Sequence, residues 1–185
     1  MVKRKAAQSQ SVYGTGPKDA RIETHTLSIL VDNEPGVLAR VTGLFSGRGY
    51  NIESLTVAET DHNNNHSRIT VICSGTPSVI EQIKNQLDRL VPVHRVTDLS
   101  MEGAHVEREL ALIKVVGTGE KRLEALRTAD IFRARVVDTT PDSYVFEITG
   151  ASEKVGAFID LMRGLGMIDL SRTGVAAMSR GSKAI

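Results

Sequence analysis

Tryptophan is absent, aromatic residues occupy 4% of the 185 positions, and there are five prolines and one cysteine. So few aromatic faces leave little for nucleobases to stack on, which excludes a single-strand nucleic-acid platform. One cysteine, Cys73, cannot close an internal disulfide and fits a reducing compartment. It lies in the alternating run Ile69, Val71, Cys73 and reads as a buried structural thiol. No run approaches the roughly 18 apolar residues of a membrane span. Signatures of catalysis are missing as well: no GxSxG elbow, GxxxxGK phosphate loop, HExxH pair or CxxC occurs. The five histidines, His25, His62, His66, His94 and His105, are scattered without the carboxylate spacing of a triad or metal cluster. His62 and His66 are four apart, but in a polar loop rather than on a helix, so no metal site is read there. No catalytic residue is assigned.

Charge is balanced overall at +1 but unevenly placed. Residues 1–21 carry Lys3, Arg4, Lys5, Lys18 and Arg21 against Asp19, and the remainder nets −3. A slightly acidic body is a poor surface for neutralising phosphates, so nucleic acid is not an expected partner. Residues 1–22 are rich in Gln, Ser and Gly and are expected to be a disordered basic tail. They have no apolar core of a secretory signal, and the expected location is cytoplasmic.

What is there centres on His25 to Glu59, HTLSILVDNEPGVLARVTGLFSGRGYNIESLTVAE. Leu27, Ile29 and Val31 alternate as on a strand. After Asp32-Asn33-Glu34-Pro35-Gly36, the positions Val37, Leu38, Val41, Leu44 and Phe45 form one helical stripe. Gly47 and Gly49 stop that helix, and Tyr50 to Thr60 is β-rich. A helix N-terminus has unpaired N–H groups and positive potential, so a small carboxylate is a natural guest. Asn33 and Asn51 could add amides. The competing reading is that Asp32 or Asn33 caps the helix and Pro35 starts it.

The rest of the chain continues the pattern. Asp61 to His66 reads as a hairpin loop and Arg68 to Ser74 as a strand. A helix follows from Thr76 or Ser78 with Val79, Ile80, Ile83, Leu87 and Leu90 on one face, then a strand from Val91 to Leu99. This order is βαββαβ, a ferredoxin-like unit. Gly103 to Glu109 reads as a polar connector. A second βαββαβ then runs through a strand at Leu110 to Val116, a helix at about Lys121 to Thr128, and strands near Ala134 to Thr139 and Tyr144 to Thr149. A helix bearing Val155, Phe158, Ile159 and Met162 and an extended stretch from Ile168 to Ala176 complete it. The fold class is α+β, two such units in tandem. The expected division is a tail at 1–22, a first domain at 23–100, a connector at 101–108 and a second domain at 109–185. Only the first half has the Asp32–Gly36 turn, since Gly117-Thr118-Gly119 is too short a signal. One uncovered sheet face or edge per unit favours pairing with a second copy.

The opening strand followed by DNEPGVLARVTGLFSGRGYNIESLTV resembles an ACT domain, a small amino-acid-binding module. GAHVEREL at Gly103 to Leu110 and RTGVAAMSRG at Arg172 to Gly181 are similar to strings of the acetolactate synthase small (regulatory) subunit family, as are TVAETD and LVPVHRVTDLS. The resemblance runs from about Thr24 to Gly181. It implies a non-catalytic subunit that activates a catalytic large subunit and confers feedback inhibition by a branched-chain amino acid, usually valine. The effector would lie between paired ACT domains, held by Asn33, Gly36, Val37 and Leu38 and by Asn51 and Ile52. Thiamine diphosphate, Mg²⁺ and FAD would belong to the large subunit and no cofactor to this chain. Pro35 departs from members that have Ser before the Gly, and it removes one N–H donor. The alternatives are an ACT-type amino-acid sensor controlling gene expression, and an enzyme working through His105, Glu107 and Glu109 of the connector.

Overall fold

Alternation at Leu27, Ile29 and Val31 produces a ten-residue strand, β1 (Glu23–Asp32), in the computed structural model, which describes residues 21–182. The expected basic tail thus lies almost wholly outside the described residues. The first unit continues with α1 (Val37–Ser46), β2 (Ser54–Asp61), β3 (His66–Gly75), α2 (Pro77–Leu87) and β4 (Val93–Asp98). Its sheet has the order β2-β3-β1-β4, with every neighbour antiparallel. Leu27 and Ile29 stand opposite Val71 and Ile69 in the ladder, Val31 and Cys73 extend the same apolar face, and Val37, Val41, Phe45, Ile80, Ile83 and Leu87 close over them from the helices. The opposite face presents Thr26, Ser28, Thr70 and Thr97, small polar side chains that are nonetheless buried.

The second unit repeats the order with β5 (His105–Val116), α3 (Gly119–Phe132), β6 (Arg135–Thr139), β7 (Ser143–Gly150), α4 (Ser152–Gly164) and β8 (Met167–Arg172). Its sheet order, β6-β7-β5-β8, is the same as that of the first. Ile113, Phe146, Ile148, Phe158 and Met162 form its core. The chain is therefore α+β, two ferredoxin-like βαββαβ units in tandem.

Two sequence expectations are corrected. The polar connector is shorter than expected, because strand geometry begins at His105 rather than after Glu109. The polar run His105–Arg108 pairs antiparallel with a ninth strand, β9 (Ala176–Ser179), so its backbone bonds are made to the chain's own end. The extended stretch from Ile168 to Ala176 is likewise broken: β8 ends at Arg172, and Gly174 (φ 82°) turns the chain before β9.

These departures create a seam. Val175 and Ala177 pack with Leu99 and Ile72 of the first unit. The Val175 N–H donates to Ser54 Oγ at 2.9 Å, and Thr26 Oγ1 donates to Glu107 Oε1 at 2.5 Å. A single apolar and polar joint thus links the open face of the first sheet to the second unit.

Candidate functional site

The turn after β1 is held from outside the helix that follows it. Asn33 N–H donates to the Asn65 carbonyl at 2.7 Å, and Asn65 Nδ2 returns a bond to the Asn33 carbonyl at 3.3 Å. Asn65 (φ 55°) ends the β2–β3 hairpin, so that hairpin and the β1–α1 turn brace each other. The hairpin tip is itself fixed by the Asp61 carboxylate, which accepts from Asn63 N–H, Asn64 N–H and the Asn64 amide. These bonds, the Asn64 side chain foremost, lower the Asp61 pKa.

The capping expectation fails here. Gly36 is the N-cap of α1, in left-handed geometry (φ 87°, ψ −7°), with no side chain capping the helix and no acid in its first turn. Pro35 lies before the helix rather than in it. Asp32 cannot cap, because its carboxylate is bound to His94 Nε2 at 2.6 Å. Val37 N–H makes a turn bond to the Glu34 carbonyl at 3.3 Å. The N–H groups of Gly36, Leu38 and Ala39 have no partner among the described residues. Those of Leu38 and Ala39 are the donors a capping side chain would ordinarily take. The helix start is thus left open, with the dipole's positive end facing outward.

Four of the six expected site residues gather here. Gly36 gives close backbone access: a Cβ built on it meets nothing within 4 Å. Val37 is 4% exposed and packed into the core, so it can offer backbone only, whereas Leu38 is 40% exposed and presents its side chain outward. Asn33 is exposed. Asn51 and Ile52 are elsewhere. β2 runs parallel to β1, each being antiparallel to β3, so β2 begins at the end of the sheet where β1 also begins. Ser54 is level with Thr26 and Asp61 with Asp32, six residues apart, about 20 Å. Asn51 follows Tyr50, whose N–H donates to the Phe45 carbonyl at the C-terminal end of α1. Within one chain the two halves of the expected site stand at opposite ends of α1.

The connector's charged groups are engaged in the seam. Glu107 accepts from Thr26 and lies 3.2 Å from His105 Nε2, and buried Glu109 pairs with Arg172. They line an open cleft of about 720 Å³ between the two sheets, together with Thr24, Glu53 and Ser100. Glu53, Glu107 and Glu109 each already have a partner, so the arrangement ties the units together.

Sequence reading missed one cluster. His62 faces Glu59, but His66 lies against His94, ring centroids 4.6 Å apart, and both reach Asp32. The three are far apart in the chain and meet only through strand pairing, so no spacing announces them.

Comparison with known proteins adds to this geometry. Residues 108–181 match the family model described as small subunit of acetolactate synthase, and residues 27–95 match the one described as AHAS small subunit-like ACT domain. The chain is 50% identical over 159 residues to the probable acetolactate synthase small subunit of Archaeoglobus fulgidus, covering 86% of this chain and 98% of that protein. It is 48% identical over 158 residues to the acetolactate synthase isozyme 3 small subunit of Escherichia coli, covering 85% and 96%. Among solved structures, the acetolactate synthase small subunit from Thermotoga maritima superposes with a TM-score of 0.79 at 40% identity, covering 87% of this chain and 99% of that one.

Proposed function

Because the chain belongs to the acetolactate synthase small-subunit family, we propose that it is a non-catalytic regulatory subunit. It raises the activity of a cytoplasmic catalytic subunit and confers feedback inhibition by a branched-chain amino acid, valine foremost. Thiamine diphosphate, Mg²⁺ and FAD belong to that partner, and this chain supplies control alone. The effector domain is 23–100, and the second unit, from 109 onward, serves contact and signalling.

The observation that carries this reading is the open start of α1, where N–H groups of Gly36, Leu38 and Ala39 lack partners among the described residues and no acid stands in the helix's first turn. An α-carboxylate satisfies those donors and the dipole together. Leu38 then offers apolar contact to a branched side chain. The distance to Asn51 and Ile52 favours a shared site in a homodimer. Two-fold pairing of first domains sets Asn33–Leu38 of one copy beside Asn51–Ile52 of the other, and isologous symmetry makes two such sites.

Reconstitution tests the proposal. The purified chain alone should form no acetolactate from pyruvate. Added to its cognate catalytic subunit, it should raise the rate, and valine should then depress it. Turnover by this chain alone, or no effect on its partner, would refute the assignment.

A further inference from the structure

We propose that Asp32, His66 and His94 form a binding site for one borderline divalent cation of the zinc class, at the foot of the β1–α1 turn. The three ligand atoms already lie within 4.8 Å of one another. Their convergence is built by the strand ladder. Asp32 closes β1 and His66 opens β3, directly opposite one another in register. His94 stands on β4 where the pairing slips between Leu30↔Arg95 and Val31↔Val93, and the extra residue of such an irregularity is re-aimed out of simple alternation. Three strand positions thus converge on one point at the same end of the sheet.

Two imidazoles and one carboxylate are the donor set of a zinc site that keeps an open fourth position for water. Imidazole nitrogen favours Zn²⁺, Ni²⁺ or Cu²⁺ over the oxygen-seeking Mg²⁺ and Ca²⁺. Metal–ligand bonds of about 2.0–2.1 Å in a tetrahedron place ligand atoms roughly 3.4 Å apart. Reaching that requires the ligand atoms, now within 4.8 Å of one another, to draw closer. His94 would exchange its bond to Asp32 for the metal, and His66 would close in. The side chains of His94 and Asp32 are 43% and 34% exposed, so an ion has a path in. Asp61, the nearest further carboxylate on the ladder, is occupied by Asn63 and Asn64 and holds the hairpin that presents His66. The ordinary alternative is a plain His94–Asp32 hydrogen bond with His66 packed beside it.

The test uses the full chain, stripped by chelator and free of any histidine tag, titrated with Zn²⁺ alone by calorimetry and with Co²⁺ alone by visible absorption. One Zn²⁺ per chain at micromolar or tighter affinity is expected, with the intense absorption of low-coordinate Co²⁺. His66→Ala and His94→Ala should each weaken binding at least about tenfold, and Asp32→Asn should weaken it while preserving shape. His62→Ala, on the same hairpin, should change nothing. Circular dichroism reports folding, and Asp32→Asn serves if an alanine variant does not fold. Zinc binding equal in wild type and in the His66→Ala/His94→Ala pair would mark adventitious surface binding and overturn the site. No amino acid is present, so this outcome is separate from that of the effector assignment.

Discussion

A carboxylate placed at position 36 would do more than add bulk. In the single chain a Cβ there has room, so the clash expected from Gly36→Asp falls on the ligand or a second copy rather than on the fold. The new side chain would sit at the N-cap and can accept from Leu38 and Ala39 N–H itself, becoming an internal competitor for the effector. Capping contributes about 1 kcal/mol, and the left-handed φ costs a similar amount, about 1–2 kcal/mol. Stability should therefore barely move. A lost charge-assisted bond of about 1.5–3 kcal/mol weakens valine binding at least roughly tenfold. Calorimetric titration and thermal melting of the variant check both halves, and wild-type affinity would place the ligand elsewhere. Cys73 is a second residue-scale test. Only 1% exposed, its thiol is pushed up to about 11, by burial first and then by the Asp98 and Glu53 carboxylates. Alkylation of native protein at pH 8 should be slower than that of unfolded chain by at least about two decades. Because the native pKa is the raised one, the associated stability is intact below about pH 9 and drains away as pH climbs towards 11. At this scale the turn residues were legible in the sequence, but their wiring was not. Asp32 looked like a cap because caps are local, whereas its partner His94 comes from a strand paired across the sheet.

Among the elements, helices and strands with a strong apolar period were read well, α1 and α4 above all. The α4 stripe, Val155, Phe158, Ile159 and Met162, is the buried face found, and of the α1 stripe Val37, Val41 and Phe45 are buried while Leu44 is half-buried and Leu38 turns outward. β5 was read short because His105-Val106-Glu107-Arg108 is a charged, polar run with a single apolar residue. It is a strand because β9 supplies its hydrogen bonds, a non-local cause. The break that frees β9 from β8 rests on Gly174. Its φ of 82° suits glycine, and a Cβ would meet Ser54 Oγ and Thr56 Oγ1 at 2.9 Å and the Leu55 carbonyl at 3.2 Å. Gly174→Val should lift this segment from the first sheet and cost about 1–3 kcal/mol. Denaturant unfolding measures that loss, and an unchanged midpoint would show that the contact is dispensable.

For the whole molecule, symmetry offers a decisive mixture. If each effector site joins the Gly36 turn of one copy to Asn51 of another, Gly36→Asp and Asn51→Asp should each be defective alone. Random pairing of the two variants rebuilds an intact site in every heterodimer, restoring roughly one quarter of the sites. Valine titration of the re-equilibrated mixture reads this directly, and no recovery would argue for a site within one chain.

β5 belongs both to the seam and to the second sheet: four residues from His105 to Arg108 are zipped to β9 beside the first sheet, and the rest pair with β7 and β8 in the second. It contains neither glycine nor proline along its twelve residues. It therefore offers no built-in hinge between the two units. Thr26 of the first sheet is bonded to that strand at Glu107, and the same strand lies in the middle of the second sheet.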